Sequence, residues 1–261
     1  MHINKEETRH YSEMADQILN IIKEHERVKA TEIAYILGTN RRTVNHYLYS
    51  ELSGIVLKDD DHYWALKGTR LFQTTDGIYY LTEYIPKALR HYKSDEALED
   101  SRLIKRFKEN DREAIEIIRE KMAEAAEELC DPYYNLIVAA IPPSKTYKKN
   151  PMLEVAAYIR DYYNGPEGME DPEFAFLDMF TRISDVATAH LSEPWNRPSF
   201  DEQKTSIRCN YPEYCNEYTQ CLIIDDITTR GTQMQACKSL LLDNGMPEEN
   251  IVMLAFARTV H

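Results

Sequence analysis

Two adjacent carboxylates, Asp225 and Asp226, follow a short run of apolar residues at positions 221–224. Such a run is typical of a strand that is buried on both faces, as in a parallel sheet. The segment after the acids contains small or hydroxylated residues, which let a backbone fold tightly around an anion: Thr228, Thr229, Gly231 and Thr232. We therefore expect an anion site at the end of this strand.

A helix is predicted to follow the turn, because apolar residues recur at helical spacing over positions 234–242 and Asn244-Gly245 ends the pattern. Ligands of open α/β sheets bind at the carboxyl ends of strands, where a helix N-terminus offers free N–H groups to a phosphate. Carboxylates beside a phosphate would repel it unless they face sugar hydroxyls or a magnesium ion. The stretch therefore fits a ribose phosphate.

The segment 223–231 resembles the phosphoribosyl-pyrophosphate (PRPP) loop of type I phosphoribosyltransferases, in which two acids follow an apolar strand and precede a turn of small residues. The resemblance implies that Asp225 and Asp226 hold the ribose hydroxyls and take part in catalysis, with Mg²⁺ bound together with PRPP. It also implies that the turn surrounds the 5′-phosphate with Thr228, Thr229, Arg230, Gly231, Thr232 and Gln233. Two positions depart from the family pattern: Thr228 replaces an aliphatic residue, and Gln233 replaces a Thr or Ser.

A second polar loop follows the apolar run 134–141, which predicts another strand. The loop begins with Pro142-Pro143, which makes it rigid, and Ser144 and the lysines at 145, 148 and 149 add a hydroxyl and positive charge. This composition suits a polyphosphate, although a solvated basic loop has the same composition. In the transferase resemblance it is the pyrophosphate loop of the ComF-like branch, with Ser144 and Lys145 as ligands and Lys145 stabilising the departing pyrophosphate.

The chain has 261 residues, of which 43% are hydrophobic, enough for one large domain or two modest ones. No apolar run approaches the ~20 residues of a membrane span, and the N-terminus lacks the apolar core of a signal peptide. We therefore expect a cytoplasmic protein with no membrane partner. Five cysteines at irregular spacing, without a CxxC pair, fit a reducing compartment better than disulfides or a zinc site.

The formal charge of −13 excludes general attraction to nucleic acid. The acidic excess is unevenly distributed, however. Residues 1–70 contain 10 Lys and Arg against 11 Asp and Glu, so that region is close to neutral. A local nucleic-acid surface is therefore compatible with the N-terminal region.

Three helical patterns lie in this region, at 14–23, 31–37 and 41–52. Thr31 is the N-cap candidate of the second, which stops at Gly38, and Thr39-Asn40 caps the third. A helix, a glycine-containing turn and a further helix are typical of a helix-turn-helix. Two short strands at 55–58 and 62–66, around an acidic turn, then predict a β-hairpin wing. Residues 12–67 therefore resemble a winged helix.

In a winged helix the third helix enters a groove of the nucleic acid, which makes it the source of phosphate and base contacts. The candidates are Arg41, Arg42, Thr43, Asn45, His46 and Tyr49. The spacing of Asn45, Tyr49 and Trp64 also resembles the small winged helices that bind left-handed Z-form DNA or RNA, but the two prolines that those domains carry before the Trp are missing. DNA or RNA is the expected partner, and protein contact or dimerisation is the alternative.

Two charged stretches without glycine, at 79–91 and 101–129, favour helices. We predict a winged helix-turn-helix domain at 1–70, a helical connector at 71–100 and a type I phosphoribosyltransferase-like α/β domain at 101–261, with helices flanking a parallel sheet. The pattern within 101–129 is expected to pack on this sheet. A helix at 151–163 and a final strand at 251–257 complete the α/β domain.

The polar, irregular stretch 182–208 is expected to form a mobile loop. Type I transferases close such a loop over the site, and ComF-like members carry a polar residue and an arginine there, so the resemblance makes His190 and Arg197 candidates.

Three functions are compatible with this organisation. The first is an enzyme that transfers phosphoribose from PRPP or cleaves a related nucleotide; its oxocarbenium-like transition state needs positioning more than acid–base groups. The second is a regulator without turnover, similar to the winged-helix purine repressors of some bacteria, in which a ligand shifts the balance of two conformations. The departures at Thr228 and Gln233 favour this second function.

The third function is a nucleotide-targeting toxin or phage-defence effector, such as a retron effector. It predicts that expression of the chain alone is harmful and that Asp225→Asn combined with Asp226→Asn relieves the harm. A homodimer or a larger complex is expected, because winged-helix regulators and these transferases are commonly dimers.

Overall fold

The computed structural model describes residues 12–25, 27–58, 62–66, 71–92, 95, 98–131, 134–164, 178–187 and 197–260. The chain divides into two compact units. The N-terminal unit consists of Met1–Arg70 with Ile85–Asp100, and the sheet unit consists of Leu71–Tyr84 with Ser101–His261. Within the described ranges, no helix combines the length and the apolar character that crossing a membrane requires.

In the described residues before Arg70, the N-terminal unit contains three α-helices and a three-stranded antiparallel sheet. The helices are α1 (Glu13–His25), α2 (Ala30–Ile36) and α3 (Arg41–Tyr49); the strands are β1 (Val28–Lys29), β2 (Val56–Lys58) and β3 (Tyr63–Leu66), in the order β1-β3-β2. The predicted helices and both hairpin strands are present, whereas β1 was not predicted. The acidic turn of the hairpin lies outside the described residues.

The apolar residues at helical spacing form the core of this unit. Ile18 and Ile22 of α1 are fully buried together with Ile33, Leu48 and most of Trp64. Burial of each such side chain stabilises the fold by roughly 1.5–3 kcal/mol. The core therefore fixes which face of α3 points outwards.

The two predicted helix caps have different outcomes. Asn40 caps α3 as predicted, because its Oδ1 accepts a hydrogen bond from the Thr43 N–H at 2.9 Å. The cap predicted at Thr31 is wrong: α2 begins at Ala30, and the Glu32 carboxylate accepts from the Lys29 N–H at 2.8 Å. The glutamate reaches back to the N–H of the residue before the helix, which is the reciprocal bond of a capping box rather than the N-cap bond expected from Thr31.

Among its described residues, the sheet unit contains a five-stranded, mostly parallel sheet in the order β4-β5-β10-β9-β6. The strands are β4 (Phe72–Gln73), β5 (Ile78–Tyr84), β6 (Asn135–Ala140), β9 (Thr219–Thr228) and β10 (Ile251–Thr259). Strands β5, β10, β9 and β6 run parallel, and β4 is an antiparallel edge strand. The strands predicted at 134–141 and 251–257 are confirmed, so the sheet unit is mixed α/β.

Strand β5 corrects the prediction of a helix over 79–91. The alternating burial of Ile78, Tyr80 and Thr82 places β5 on the sheet beside β10, and a 3₁₀ turn follows at Lys87–Tyr92. Aromatic and β-branched residues are typical of strands, and this signal outweighs the charge and the lack of glycine on which the helix prediction depended. Residues 71–84 therefore belong to the sheet rather than to a helical connector.

Helices cover the sheet as the apolar spacing predicts. The helices are α4 (Glu99–Lys108), α5 (Arg112–Leu129), α6 (Met152–Asn164) and α8 (Thr232–Asp243). Ile104, Phe107 and Ile118 share one buried cluster with Leu222 and Ile224 of β9, while Cys221 and Ile223 of the alternate face of β9 are equally buried. The prediction that 221–224 is buried on both faces is confirmed.

The remaining described segment forms a small two-stranded sheet. Strand β7 (Phe180–Arg182) pairs antiparallel with β8 (Ile207–Cys209), and helix α7 (Phe200–Thr205) precedes β8. The stretch 182–208 was expected to be one mobile loop, and the prediction is wrong for these regular parts. The capping box of Ser199 and Glu202 explains why α7 forms despite its polarity.

Candidate functional site

The acidic pair lies within the C-terminal part of strand β9 rather than beyond the end of the strand. The strand continues to Thr228, with Asp225 opposite Ala255 of β10, so the predicted strand end at residue 224 is four residues too early. The Asp226 N–H donates to Asp225 Oδ1 at 2.8 Å. Both carboxylates therefore stand at the carboxyl end of the parallel sheet, where ligands of such sheets bind.

Lys108, the last residue of α4, contacts this pair and was not predicted. Its Nζ lies 3.2 Å from Asp226 Oδ2. Burial works to lower the pKa of Lys108, but the carboxylates, chiefly Asp226, raise it. The sequence contains no signal for this contact, because Lys108 is one of many lysines on charged helices and only the packing of α4 brings it to β9.

The pKa of Asp225 is raised well above its usual range. Burial is the main cause, and the neighbouring Asp226 carboxylate adds to it, while Lys108 opposes the shift. A carboxylic acid with a raised pKa beside a second carboxylate is typical of a site that binds a cation or hydroxyl groups, since either would stabilise the negative charge.

The predicted turn connects the acids to α8. Gly231 adopts φ 69° and is the residue that precedes α8. Because glycine has no side chain that could cap the helix, the first N–H groups of α8 are available to a ligand. Thr228 is buried, and Thr229 Oγ1 lies 2.9 Å from Thr259 Oγ1 of β10. Arg230 is exposed. The turn is therefore held by the sheet on one side and open on the other.

A cavity of about 370 Å³ lies against this turn. Its lining includes Asp225 and the residues from Ile227 to Met234, and Arg197 to Phe200 with Gln203 form the other side. Its size falls in the range of small-molecule sites. The predicted residues Thr228, Thr229, Arg230, Gly231, Thr232 and Gln233 are thus brought together around one space.

Arg197, predicted on a closing loop, lines the same cavity. Its Nε atom is buried and has no hydrogen-bond partner among the described residues. A buried guanidinium nitrogen without a partner is costly unless a ligand satisfies it. His190, the second residue predicted on that loop, lies outside the described residues.

The second polar loop follows β6, which is the direct neighbour of β9 in the sheet. Lys145 Nζ lies 3.6 Å from Asp185 Oδ2, and the Thr146 N–H donates to Asp185 Oδ1 at 2.9 Å. The Thr146 N–H is the main cause of the lowered pKa of Asp185, and Lys145 contributes. Asp185 was not predicted, and it holds the basic loop in place.

Arg182 fixes the start of this loop. Its guanidinium is buried and donates to the Pro143 carbonyl at 3.0 Å, the Pro142 carbonyl at 3.4 Å and Gln203 Oε1 at 3.0 Å, as well as to Ser206. Burial lowers the pKa of Arg182. Backbone carbonyls outside the sheet ladder need donors from elsewhere, and Arg182 supplies a charged donor to both of these.

Gln233 connects the two loops. Its Nε2 donates to the Pro142 carbonyl, so the first turn of α8 is tied to the end of β6. This residue departs from the family pattern in the sequence, and the hydrogen bond gives it a structural role. The two polar loops therefore lie side by side, as parallel neighbouring strands require.

A second cavity of about 460 Å³ lies against the basic loop. Its lining includes Lys148 and Lys149 together with Pro142, Asp178 and Arg182. Burial raises the pKa of Asp178. The predicted lysines are thus divided, with Lys145 held by Asp185 and the other two at this second cavity.

In the N-terminal unit, the predicted contact residues lie on α3. Arg41, Arg42, His46 and Tyr49 are exposed, and Asn45 is half-buried between them. Thr43 is engaged instead, because its N–H and hydroxyl both donate to Asn40. The stripe of α3 residues opposite Val44 and Leu48 therefore forms a polar, basic face.

Lys58 of β2 extends this face and was not predicted. Its Nζ donates to the Tyr49 hydroxyl at 3.0 Å, and the Tyr49 ring contacts the Trp64 ring edge-on at a centroid distance of 5.0 Å. The hairpin thus holds Tyr49 in position. The contact between Tyr49 and Trp64 was not predicted either, because their spacing in the sequence indicated only a resemblance to the winged helices that bind Z-form DNA or RNA.

No protein-family model matches the chain, and no curated protein matches it either. The geometry of the described residues is therefore the basis of the functional proposal.

Arg182→Met is expected to lower the free energy of unfolding by about 1–2 kcal/mol, because buried carbonyls lose a charged donor. Urea unfolding measures this. Arg208→Met is the matched control, since Arg208 lies in the paired strand and is exposed, with Nε 3.2 Å from Asn210 Oδ1. Equal stability of the two variants would show that Arg182 does not hold the proline carbonyls.

Proposed function

We propose that the sheet unit is a type I phosphoribosyltransferase-like domain that binds PRPP or a related nucleotide and transfers or cleaves its phosphoribose. One observation carries the proposal. Asp225 and an open helix N-terminus, joined by the turn at Gly231, border one cavity, Asp226 follows Asp225 on β9, and a rigid basic loop starts on the adjacent parallel strand. Ribose hydroxyls, a 5′-phosphate and a pyrophosphate require these three kinds of partner.

In this proposal each part of the ligand has its own residues. Asp225 and Asp226 accept hydrogen bonds from the ribose hydroxyls, which relieves the repulsion between the two carboxylates. The N–H groups around Gly231 and the hydroxyls of Thr229 and Thr232 bind the 5′-phosphate. The guanidinium of Arg197, which lines the same cavity, binds the same phosphate.

The pyrophosphate belongs to the loop with Ser144 and Lys145. Lys145 is paired with Asp185 before the ligand arrives, so binding exchanges one anion for another. Because the Asp185 carboxylate also accepts from Thr146, it stays in place when Lys145 turns to the ligand. Lys145 then stabilises the negative charge of the departing group, which is the main protein contribution to a reaction with an oxocarbenium-like transition state.

Mg²⁺ fits this site as a companion of the ligand. Among the described residues, no group of three or more His, Cys, Asp or Glu side chains is arranged to hold a metal ion. Asp225 and Asp226 nevertheless offer carboxylate oxygens, and Mg²⁺ commonly binds one or two carboxylates together with substrate phosphates. When bound, the ion would neutralise negative charge on the pyrophosphate.

Calorimetric titration of the full chain with PRPP and Mg²⁺ tests the proposal. We expect saturable binding that weakens at least ~100-fold in the variant with Asp225→Asn and Asp226→Asn, because two charged acceptors are lost. No heat of binding at millimolar PRPP would refute it. Binding without turnover of any base would identify a ligand sensor, as in the regulatory alternative.

For the N-terminal unit, we propose a winged helix that binds DNA or RNA. The supporting observation is the exposed basic face of α3, with Arg41, Arg42 and His46 beside Tyr49, which Lys58 and Trp64 hold in position. Arginines and an aromatic edge on one helix are suited to phosphates and bases. The face includes Asn45, which can form paired hydrogen bonds with adenine.

Arg42→Ala is expected to weaken binding to DNA and RNA duplexes of any sequence and to reduce the slope of log affinity against log salt by about one. Fluorescence anisotropy at several salt concentrations measures both effects. Lys23→Ala is the matched control, because Lys23 is an exposed residue of α1 outside the α3 face. An equal loss in the Lys23 variant would show that the attraction does not belong to α3.

A further inference from the structure

The two acids at the end of β9 have different surroundings. Asp225 lines the cavity beside the turn that precedes α8. Successive side chains of a strand alternate between its two faces, so Asp226 follows the alternation of Leu222 and Ile224. These two residues belong to the buried cluster that includes Phe107 of α4. The carboxylate of Asp226 is therefore placed to meet a group from the end of α4.

Lys108, which follows Phe107 at the end of α4, supplies that group. Phe107 is fully buried, and Lys108 Nζ lies 3.2 Å from Asp226 Oδ2. The side chain of Lys108 is 38% exposed and that of Asp226 is 19% exposed, so water and salt screen the pair only in part. A positive charge therefore stands at the acidic pair before any ligand is present.

The turn that joins α4 to α5 fixes the backbone on which Lys108 stands. Asn110 adopts φ 59°, and its N–H donates to the Phe107 carbonyl at 2.9 Å. The next residue, Asp111, caps α5 by accepting from the Ala114 N–H at 3.0 Å. Both helices contribute buried residues to the core of the sheet unit. The ammonium group therefore has a rigid base, although its own stem is flexible.

The two other basic residues in the last turn of α4 have partners of their own. Arg106 pairs with Asp111 at 2.8 Å and also with Glu113. Lys105 Nζ lies 3.8 Å from Glu109 Oε1, and both of these side chains are largely exposed. The contact with the acidic pair thus belongs to the last residue of the helix, and Lys105 offers a comparison of equal charge.

An ammonium group and a divalent ion compete for the same carboxylate oxygens. Mg²⁺ binds such oxygens at about 2.1 Å, so an ion on Asp226 would lie close to the Lys108 ammonium group. Like charges at this separation repel strongly where water is partly excluded. Mg²⁺ must therefore displace Lys108 or arrive together with anionic groups that offset the repulsion.

We propose that Lys108 is the resident cation of the acidic pair, which keeps free Mg²⁺ from the carboxylates of the ligand-free chain so that Mg²⁺ enters only with the pyrophosphate of the ligand. The role of the pyrophosphate rests on the proposed function, whereas the exclusion of free Mg²⁺ does not. Phosphate oxygens add the negative charge that offsets the repulsion. Lys108 is thus a positioning residue, which acts through Asp226 on the order in which ligand and metal bind.

Titration of the ligand-free full chain with Mn²⁺, which prefers the same oxygen ligands as Mg²⁺, tests this inference. Electron paramagnetic resonance reports the free ion, so the bound fraction follows by difference. We expect Lys108→Met to gain a site that binds Mn²⁺ at least ~10-fold more tightly than the unaltered chain does, because a repelling charge is removed. Excess Mg²⁺ should displace this Mn²⁺. Absence of the gain would overturn the inference.

Further variants assign the gain to the contact with Asp226. Lys108→Met combined with Asp226→Asn should lose the new site, and Lys108→Arg, which keeps the charge, should not acquire it. Lys105→Met is the matched control, because it removes an exposed charge from the same turn of α4. An equal gain in Lys105→Met would show that net charge governs Mn²⁺ binding and would contradict the proposal.

One comparison does not depend on the folding of a Lys108 variant. The unaltered chain and Asp226→Asn should bind Mn²⁺ equally weakly, since Lys108 already excludes the ion from this carboxylate. A Mn²⁺ site in the unaltered chain that Asp226→Asn removes would refute the role of Lys108. PRPP takes no part in these titrations, so a failure of PRPP to bind would refute the proposed function and leave this result unchanged.

Discussion

Replacing Gly231 by alanine is expected to lower the free energy of unfolding by about 2–5 kcal/mol and to abolish PRPP binding. Gly231 adopts φ 69°, a left-handed conformation that costs other residues ~1–2 kcal/mol. A Cβ atom at this position would lie 2.3 Å from Ile78 Cδ1, and overpacking a filled core costs a further ~1–3 kcal/mol. We expect the clash to be relieved by rotation of the buried Ile78 side chain together with a shift of the turn that precedes α8, and this shift displaces the N–H groups proposed to bind the phosphate.

A control and a rescue separate these two causes. Gly77→Ala has the same sign of φ, 77°, but a Cβ atom there has open space, so only the conformational part of the loss remains. Ile78→Val removes Cδ1 and should restore part of the stability of the Gly231→Ala variant. Urea unfolding of the four proteins measures both effects. Equal losses for Gly77→Ala and Gly231→Ala would show that the contact with Ile78 has no role.

Asp225→Asn is expected to have opposite effects on stability and binding. The variant loses a charged acceptor for the ribose, so PRPP should bind roughly tenfold to a hundredfold more weakly, since a hydrogen bond to a charged group contributes ~1.5–3 kcal/mol. The variant keeps the Oδ1 that accepts from the Asp226 N–H and removes the repulsion between the acids. Its ligand-free form should therefore be more stable at neutral pH, by roughly 1–2 kcal/mol after allowance for solvent screening.

The pH dependence of this difference identifies its cause. Because burial and Asp226 raise the pKa of Asp225 in the folded chain, its favourable contribution is fully present below the unfolded pKa of ~4 and is lost as pH rises through the folded pKa. The stability advantage of Asp225→Asn should therefore grow as pH rises above ~4 and then become constant. Thermal unfolding from acidic to neutral pH measures it, with the exposed Glu249→Gln as control. A constant advantage at every pH would exclude ionisation of Asp225 as its cause.

Several elements could be predicted because local pattern and tertiary environment agree. The run 221–224 is apolar throughout, and both of its faces are buried. The turn at Gly231 needs a residue that tolerates positive φ, and the sequence has a glycine there. Asn40 could be predicted as the cap of α3 because a short amide side chain directly before a helical pattern can accept from a free N–H of the first turn.

Other parts could not be predicted because they depend on contacts between distant residues. Strand β5 contains aromatic and β-branched residues, but the charged stretch around it favours a helix, and pairing with β10, far along the chain, decides for a strand. Lys108 and Asp185 occur on charged or polar stretches that resemble solvated surface, and only packing places them at Asp226 and Lys145. Arg182 is similar, since a single arginine in a polar segment gives no sign that it will bind the carbonyls of two prolines.

The most direct test of the account is whether one ligand bridges the two polar loops at the ends of β6 and β9. Calorimetric displacement measures this, with ribose 5-phosphate and pyrophosphate each competing against PRPP in the presence of Mg²⁺. We predict that both compounds compete, that Lys145→Met weakens only pyrophosphate, and that Asp225→Asn weakens only ribose 5-phosphate. Failure of both compounds to displace PRPP, or PRPP binding that neither substitution changes, would contradict a phosphoribosyl site at this edge of the sheet.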